Sequence, residues 1–365
     1  MNATFEHSEH RNEIVIDRVD TSGRVTNVWQ GSPDELPTFT GVTSGSGEMI
    51  AQLVVAKSER KRTALDHMSG ASWPIIWIQG EPDEKAYISA TQALVIEGRP
   101  VDRVTLTDQV VGSHWSDEDA DYCLLAGILP ADVEKTRGFQ TTSCLEQIEI
   151  ALDKVGMGFS HVVRTWFYLD DLLDWYDEFN AARTEFFINR AVFDRLIPAS
   201  TGIGARNPAG SALVAGALAI RPHHERFRIE EVVSPLQCSA TEYRSSFSRA
   251  VEVTFPSWRL LIISGTASIA ANGTSMFVGD VRKQIHRTLD VVEAILKSRK
   301  MDWNNTTRAV GYFRDIKALP VFDECRNERG IPQLPILPAQ LTICRHDLLF
   351  EMELDAIATV DGHVG

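Results

Sequence analysis

Gln147-Ile-Glu-Ile-Ala-Leu152-Asp153-Lys-Val155 returns 137 residues later as Gln284-Ile-His-Arg-Thr-Leu289-Asp290-Val-Val292, and this recurrence decides the fold. Working outward, Leu124-Leu-Ala-Gly127 matches Ile262-Ile-Ser-Gly265 at an offset of 138. Arg164-Thr-Trp-Phe-Tyr168-Leu-Asp-Asp171 matches Arg308-Ala-Val-Gly-Tyr312-Phe-Arg-Asp315 at 144. Phe179-xxx-Arg183 matches Phe322-xxx-Arg326 at 143, and Ala219-Ile220 matches Ala356-Ile357 at 137. Anchors kept in one order at nearly one offset mark two copies of a module. The copies span residues 95–232 and 238–362, after an N-terminal extension, 1–94, that has no clear copy of its own.

Within each copy the periodicities run in parallel. Leu145, Ile148, Leu152 and Val155, and in the second copy Ile285, Leu289, Val292 and Leu296, are three or four apart, so each set shares one helical face. Ser143-Cys-Leu-Glu146 has the form of a capping box and predicts the start of the first helix; Asp280 is the predicted cap of its counterpart. Strands are predicted at 162–168 and 308–313. A second helix follows, with Leu172, Trp175, Tyr176, Phe179 and Phe186 on one side; in the second copy it opens at Pro320 and stops at Gly330. Closing strands are expected over 211–221 and 347–360. Thr201-Gly-Ile-Gly204 fits neither a GxGxxG nor a Walker pattern and reads as a turn before the first of them. The order ββαβαβ with amphipathic helices predicts an α+β fold of tandem modules, each a mixed sheet with two helices on one face. The other sheet face then needs cover from the second copy or from another chain, so a homo-oligomer is expected.

Composition excludes several function classes. With 36 Lys+Arg against 50 Asp+Glu the formal charge is −14, and no cationic run is available to neutralise phosphates, so no nucleic-acid partner is expected. The longest clean apolar run, 212–220, is far short of the ~20 residues that cross a bilayer, and no membrane partner is expected. The opening MNATFEHSEHRNE has no apolar core of a secretory signal. Five scattered cysteines without a CxxC read as reduced thiols, and the expected location is cytoplasmic. His223-His224 are adjacent and no HExxH or GxSxG occurs, so neither a metal or other cofactor nor a serine-hydrolase triad is expected.

The second copy carries the candidate chemistry. Phe350, Met352, Leu354 and Ala356 alternate with Glu351, Glu353 and Asp355, and the plain expectation is that these acids face water. At offset 137, however, Glu351 and Glu353 fall on Val214 and Gly216, so the acids exist in one copy only: one module is a scaffold and the other bears the acids. Arg164, on the strand side shared by Val162, Trp166 and Tyr168, needs a partner, either a structural carboxylate or a ligand. Arg249 is either a surface cation or a fork for a carboxylate. Ser264-Gly265-Thr266 follows an apolar strand; it reads as a turn of small residues or, functionally, as a cleft lining.

Taken together, Arg164-Thr-Trp-Phe-Tyr, the Phe179-xxx-Arg183 helix, Ile197-Pro-Ala-Ser-Thr-Gly-Ile-Gly204, Gly279-Asp-Val and Leu348-Leu-Phe-Glu351-Met-Glu353 resemble the chorismatases. These are two-module members of the Rid superfamily, the reactive-intermediate deaminases once labelled L-PSP endoribonucleases. The resemblance implies a chorismate-mutase-like α+β module, a trimeric assembly and clefts between modules or subunits. It also implies that Glu351 protonates an enolpyruvyl methylene so that water releases pyruvate from a small anionic metabolite. Arg249, Arg164, Tyr243, Ser264, Gly265, Thr266, Glu353 and Gln340 would orient that substrate. Pro338-Ala339-Gln340 stands where Rid deaminases have Pro-Ala-Arg, so Gln340 speaks against imine or enamine deamination. The rival readings are that deaminase activity and, from another class, a non-catalytic small-molecule binder.

Overall fold

The computed structural model describes residues 16–19, 24–31, 47–56, 61–80, 89–243 and 245–360. Among the described residues the strands form three sheets, one more than the repeat alone implies. The first module contributes β6 (Asp102–Leu106), β7 (Gln109–Ser116), β8 (Ala120–Ile128), α2 (Arg137–Asp153), β9 (Val162–Leu169), α3 (Leu172–Asn189), β10 (Ala199–Gly204) and β11 (Leu213–Pro222). The second contributes β12 (Arg228–Val232), β13 (Ala250–Thr254), β14 (Trp258–Ala267), α4 (Val281–Ser298), β15 (Thr306–Phe313), α5 (Leu319–Glu328), β16 (Ile336–Gln340) and β17 (Phe350–Thr359). Their strand orders, β10-β9-β11-β8-β7-β6 and β16-β15-β17-β14-β13-β12, are the same order twice. The modules thus form an α+β tandem of mixed sheets, each with two helices.

The N-terminal extension repeats that order in reduced form. β1 (Ile16–Val19), β2 (Arg24–Gly31), β3 (Glu48–Ala56), α1 (Lys61–Gly70), β4 (Ile75–Gln79) and β5 (Ser89–Ile96) build the sheet β4-β3-β5-β2-β1. β3 runs parallel to β4 through α1, as β9 does to β10 through α3 and β15 to β16 through α5. The extension therefore fills the place of a third module.

Three local expectations change. Thr136, not the Ser143 box, caps α2 by accepting from the Phe139 N–H; Ser143 is buried mid-helix, where its Oγ accepts from the Ala131 N–H. Thr201–Gly204 lies in β10 rather than a turn, because the edge of β9 offers it a parallel ladder. Residues 228–232, assigned to the first copy from sequence, pair with β13 and so belong to the sheet of the second module. Asp280 caps α4 as expected, its carboxylate accepting from the Lys283 N–H at 3.0 Å.

Each sheet packs its helices on one face, and the opposite faces of all three meet in a common core. That core joins Ile50 and Ile76 of the first sheet, Trp166 and Leu124 of the second, and Val310 and Val251 of the third. Phe255 stacks on Trp258 at 3.7 Å and lies 6.2 Å from Tyr122, binding two sheets through ring faces. Backbone bridges close the seams: Gln79 to Arg206, Ala199 to Ser248 and Gly204 to Thr342. Gly127 marks one such approach. Its φ is +76°, and a Cβ there would lie 2.3 Å from the Ile75 carbonyl oxygen. Among the described residues no helix is long and apolar enough to cross a membrane.

Candidate functional site

The seam between the two complete modules opens into a cleft of about 1420 Å³. One wall is α3 and β10; the other is β14, Arg249, the segment 344–347 and Glu351 of β17. The walls join through short polar contacts: the Ser200 N–H donates to Ser264 Oγ at 2.9 Å, and the Gly265 N–H to Thr201 Oγ1 at 3.1 Å. The order of the two copies around the core thus sets acids from one beside a helix of the other.

β17 is buried on both sides, which overturns the expectation that its acids face water. Phe350, Met352, Leu354 and Ala356 pack under α4 and α5, while Glu351, Glu353 and Asp355 point the other way, into the seam between sheets. The three acids then meet different surroundings.

Glu351 reaches the cleft. Burial, followed by the Glu353 charge, raises its pKa to about 8, against partial opposition from the Arg249 and Arg345 guanidiniums. Among the described residues no hydrogen bond reaches its carboxyl group. Gly265 makes the placement possible, since a Cβ there would sit 2.1 Å from Glu351 Oε1. The carboxyl group fills the volume a side chain at 265 would need. Cys344, beside it, is pushed up to about 12 by burial and by Glu351, so this thiol stays protonated.

Glu353 is fully buried and structural. It accepts from Arg164 Nη2 at 2.6 Å, from Arg308 Nη2 at 2.6 Å and Nη1 at 2.8 Å, and from Trp166 Nε1 at 3.0 Å. Burial acts to raise its pKa, but the two guanidiniums outweigh that and hold it below the usual carboxylate range. Arg308 also pairs with Asp355 at 2.9 Å. Both arginines stack on Trp166, at 5.0 and 5.4 Å.

This network corrects several sequence expectations. Arg164 and Glu353 pair with each other and do not line this cleft; of the two partners considered for Arg164, the structural carboxylate is the one present. Ser264 and Thr266 are fully buried, and their hydroxyls donate to the carbonyls of Ser248 at 2.6 Å and Ser264 at 2.9 Å. Gly265, between them, does line the cleft. Gln340 lies at the end of β16, and its Oε1 accepts from the Ile316 N–H at 3.3 Å. The cleft is bordered instead by β10, the counterpart of β16 in the first module, through Ser200 and Gly202. The Tyr243 side chain lies outside the described residues.

Arg249 lines the cleft and is 4% exposed; its Nε donates to the Cys238 carbonyl at 3.0 Å, and it lies over Phe247 at 5.5 Å. Sequence reasoning missed Arg345, whose Nη1 donates to the Gly273 carbonyl at 2.8 Å, because it sits outside any periodic element. It also gave no role to Arg183. That residue was visible as part of the repeat, and recurrence suggested architecture rather than chemistry.

The family model for endoribonuclease L-PSP matches residues 119–225. The 3-hydroxybenzoate synthase of Streptomyces hygroscopicus is 26% identical over 266 residues, which is 64% of this chain and 74% of the relative. A chorismatase crystal structure superposes with a TM-score of 0.66 at 17% identity, covering 92% of this chain and 98% of the other. At that identity the likeness shows the fold.

Proposed function

From a chain that is a chorismatase-like member of the Rid superfamily, we propose an enzyme that cleaves the enolpyruvyl ether of chorismate or a close carboxylated relative, with Glu351 as proton donor. The observation that carries this reading is a buried carboxyl group at the cleft, whose pKa burial and the Glu353 charge raise to about 8. A general acid works best when its pKa lies near the operating pH. Arg249 and Arg345, on the same wall, suit the carboxylate of an enolpyruvyl group.

Proton transfer from Glu351 to the terminal methylene carbon turns it into a methyl group and leaves an oxocarbenium centre at the ether carbon. Water adds there, the hemiketal collapses, and pyruvate departs with the ring hydroxyl released. The relative named 3-hydroxybenzoate synthase suggests how the ring half ends. 3-Hydroxybenzoate and pyruvate together contain the atoms of chorismate with nothing left over. The water consumed in freeing pyruvate is therefore matched by one lost as the ring becomes aromatic.

The test is pyruvate release from chorismate by purified protein, with the aromatic product followed by chromatography. The wild type is expected to release pyruvate, and Glu351→Gln to be slower by at least about a hundredfold, the usual worth of a general acid. Release that survives the substitution removes Glu351 from the chemistry. No release from the wild type removes chorismate as substrate.

A further inference from the structure

We propose that His286 of α4 and Cys325 and Glu328 of α5 form a zinc-binding clip on the helical face of the second module. An imidazole nitrogen, a thiolate sulfur and a carboxylate oxygen supply three ligands, and solvent supplies the fourth. None of these residues lines the cleft, and the clip does not depend on the chemistry proposed there.

Cys325 and Glu328 are about one helical turn apart, so both side chains leave α5 on the same side, and α4 brings His286 against it. One ligand atom from each residue lies within 4.8 Å of the other two. His286 Nε2 stands 3.4 Å from Glu328 Oε2. Zinc bonds of about 2.0–2.2 Å at the tetrahedral angle hold nitrogen and oxygen ligands about 3.4 Å apart, so that edge of the site is already formed. The longer bond to sulfur asks for about 3.6 Å, which side-chain rotations of about an ångström supply. Cys325 is buried, whereas the His286 and Glu328 side chains are 33% and 54% exposed, giving an ion its way in and a water its place. Imidazole with thiolate and carboxylate is a donor set that suits zinc rather than magnesium or calcium.

The two oxygens of Glu328 have separate tasks. Oε1 accepts from Arg282 Nη1 at 2.9 Å, while Oε2 faces His286. Arg282 Nη2 also pairs with Glu324, and Nη1 lies 3.9 Å from Cys325 Sγ. Arg282 therefore orients the carboxylate from outside, as hydrogen-bond partners of metal ligands do. Burial disfavours the free thiolate, and the Arg282 charge opposes that. With the ion bound, zinc and Arg282 bring three positive charges against one each on Cys325, Glu328 and Glu324, so none is left uncompensated. Coordination forms a zinc–sulfur bond and releases the thiol proton to solvent; nothing is oxidised or reduced.

The repeat shows that the helix pair does not need this constellation to pack. At the offsets of 137 and 143 given above, His286, Cys325 and Glu328 fall on Glu149, Ala182 and Glu185. There Glu149 is taken by Arg190 at 2.8 Å. The thiol and the imidazole belong to the second copy alone. No CxxC or HExxH announces them, because the ligands come from two helices rather than from one short motif.

The test uses the full chain, stripped with a chelator and titrated with cobalt(II), whose thiolate complexes absorb in the near ultraviolet. The wild type is expected to develop a thiolate-to-cobalt band that saturates at one ion per chain and is erased by zinc. Cys325→Ser should lose the band, and Cys238→Ser should keep it. His286→Gln and Glu328→Gln should each weaken binding by about tenfold or more. Zinc should raise the melting temperature of the wild type more than that of His286→Gln. Because His286 and Glu328 reach solvent, their variants report on the site even where Cys325→Ser does not fold. No saturable band in the wild type, a band that persists in Cys325→Ser, or affinity left unchanged by both His286→Gln and Glu328→Gln overturns the proposal.

Discussion

Glu351 and Glu353 stand two residues apart on one strand face and are driven in opposite directions by what surrounds them. Glu353 has two guanidiniums within 2.6 Å that hold its pKa below the usual carboxylate range, whereas burial and a like charge raise that of Glu351 to about 8. The sign of the pH effect follows. A carboxyl whose folded pKa is raised favours its protonated form in the native state, so it costs stability as pH climbs from the ordinary carboxylate range through about 8. As a proton donor it also loses activity over the same upper limb. We therefore expect kcat/KM to be level in mildly acidic solution and to fall with an apparent pKa near 8, a limb absent from any residual activity of Glu351→Gln. Gly265→Ala tests the placement. Its Cβ would lie 2.1 Å from Glu351 Oε1, so the carboxyl group must move toward the open cleft. Better solvation there should bring the limb to lower pH and reduce turnover by about tenfold or more, with circular dichroism unchanged. A limb that stays in place would show that the carboxyl group tolerates a neighbour at 265.

At the scale of elements, β17 is the strand on which the site depends. Its outward set fills the core under α4 and α5, and its inward set carries the charges between sheets. Removing one partner of a buried ionic group leaves the other uncompensated, so Glu353→Gln should lower stability by about 3–5 kcal/mol, read from urea unfolding. The effect should disappear with acid. Glu353 has a depressed pKa, so the stability it adds is present above the usual carboxylate range and is lost as pH falls through its folded value. A wild type and variant equally stable near neutrality would mean that the network is not the fastener of the seam. By contrast Asp280→Ala removes one exposed N-cap bond and should cost only about 1 kcal/mol.

At the scale of the molecule, the three sheets provide for one another what a trimer of separate modules would have to provide by association. The oligomer expected from sequence rested on apolar sheet faces wanting cover, and here those faces share one core within a single chain. Sedimentation is accordingly expected to give a mass near 40.6 kDa, that of one chain. A threefold larger mass would mean that some other surface drives association. Deleting residues 1–100 should uncover the inner faces of both remaining sheets, and the truncated chain should aggregate or bind hydrophobic dyes where the full chain does not.

The sequence by itself determined the duplication, the α+β character, the helix and strand periods and the acids present in one copy, because local periodicity and self-similarity are written along the chain. Glu351, Gly265 and Arg249 were legible as candidates for the same reason: each sits in or beside a patterned element. Only the tertiary structure decided that Arg164 and Glu353 pair directly while the guanidiniums of Arg249 and Arg345 only partly offset the burial of Glu351, since partners 189 residues apart meet only when the sheets close. It alone showed that the extension forms a third sheet, that Arg183 and Arg345 face the same cleft, and that β10, not β16 with Gln340, borders it. Side-chain charge can be read from composition; its counterion, its hydration and therefore its protonation are properties of distance and burial, which exist only once the chain has folded.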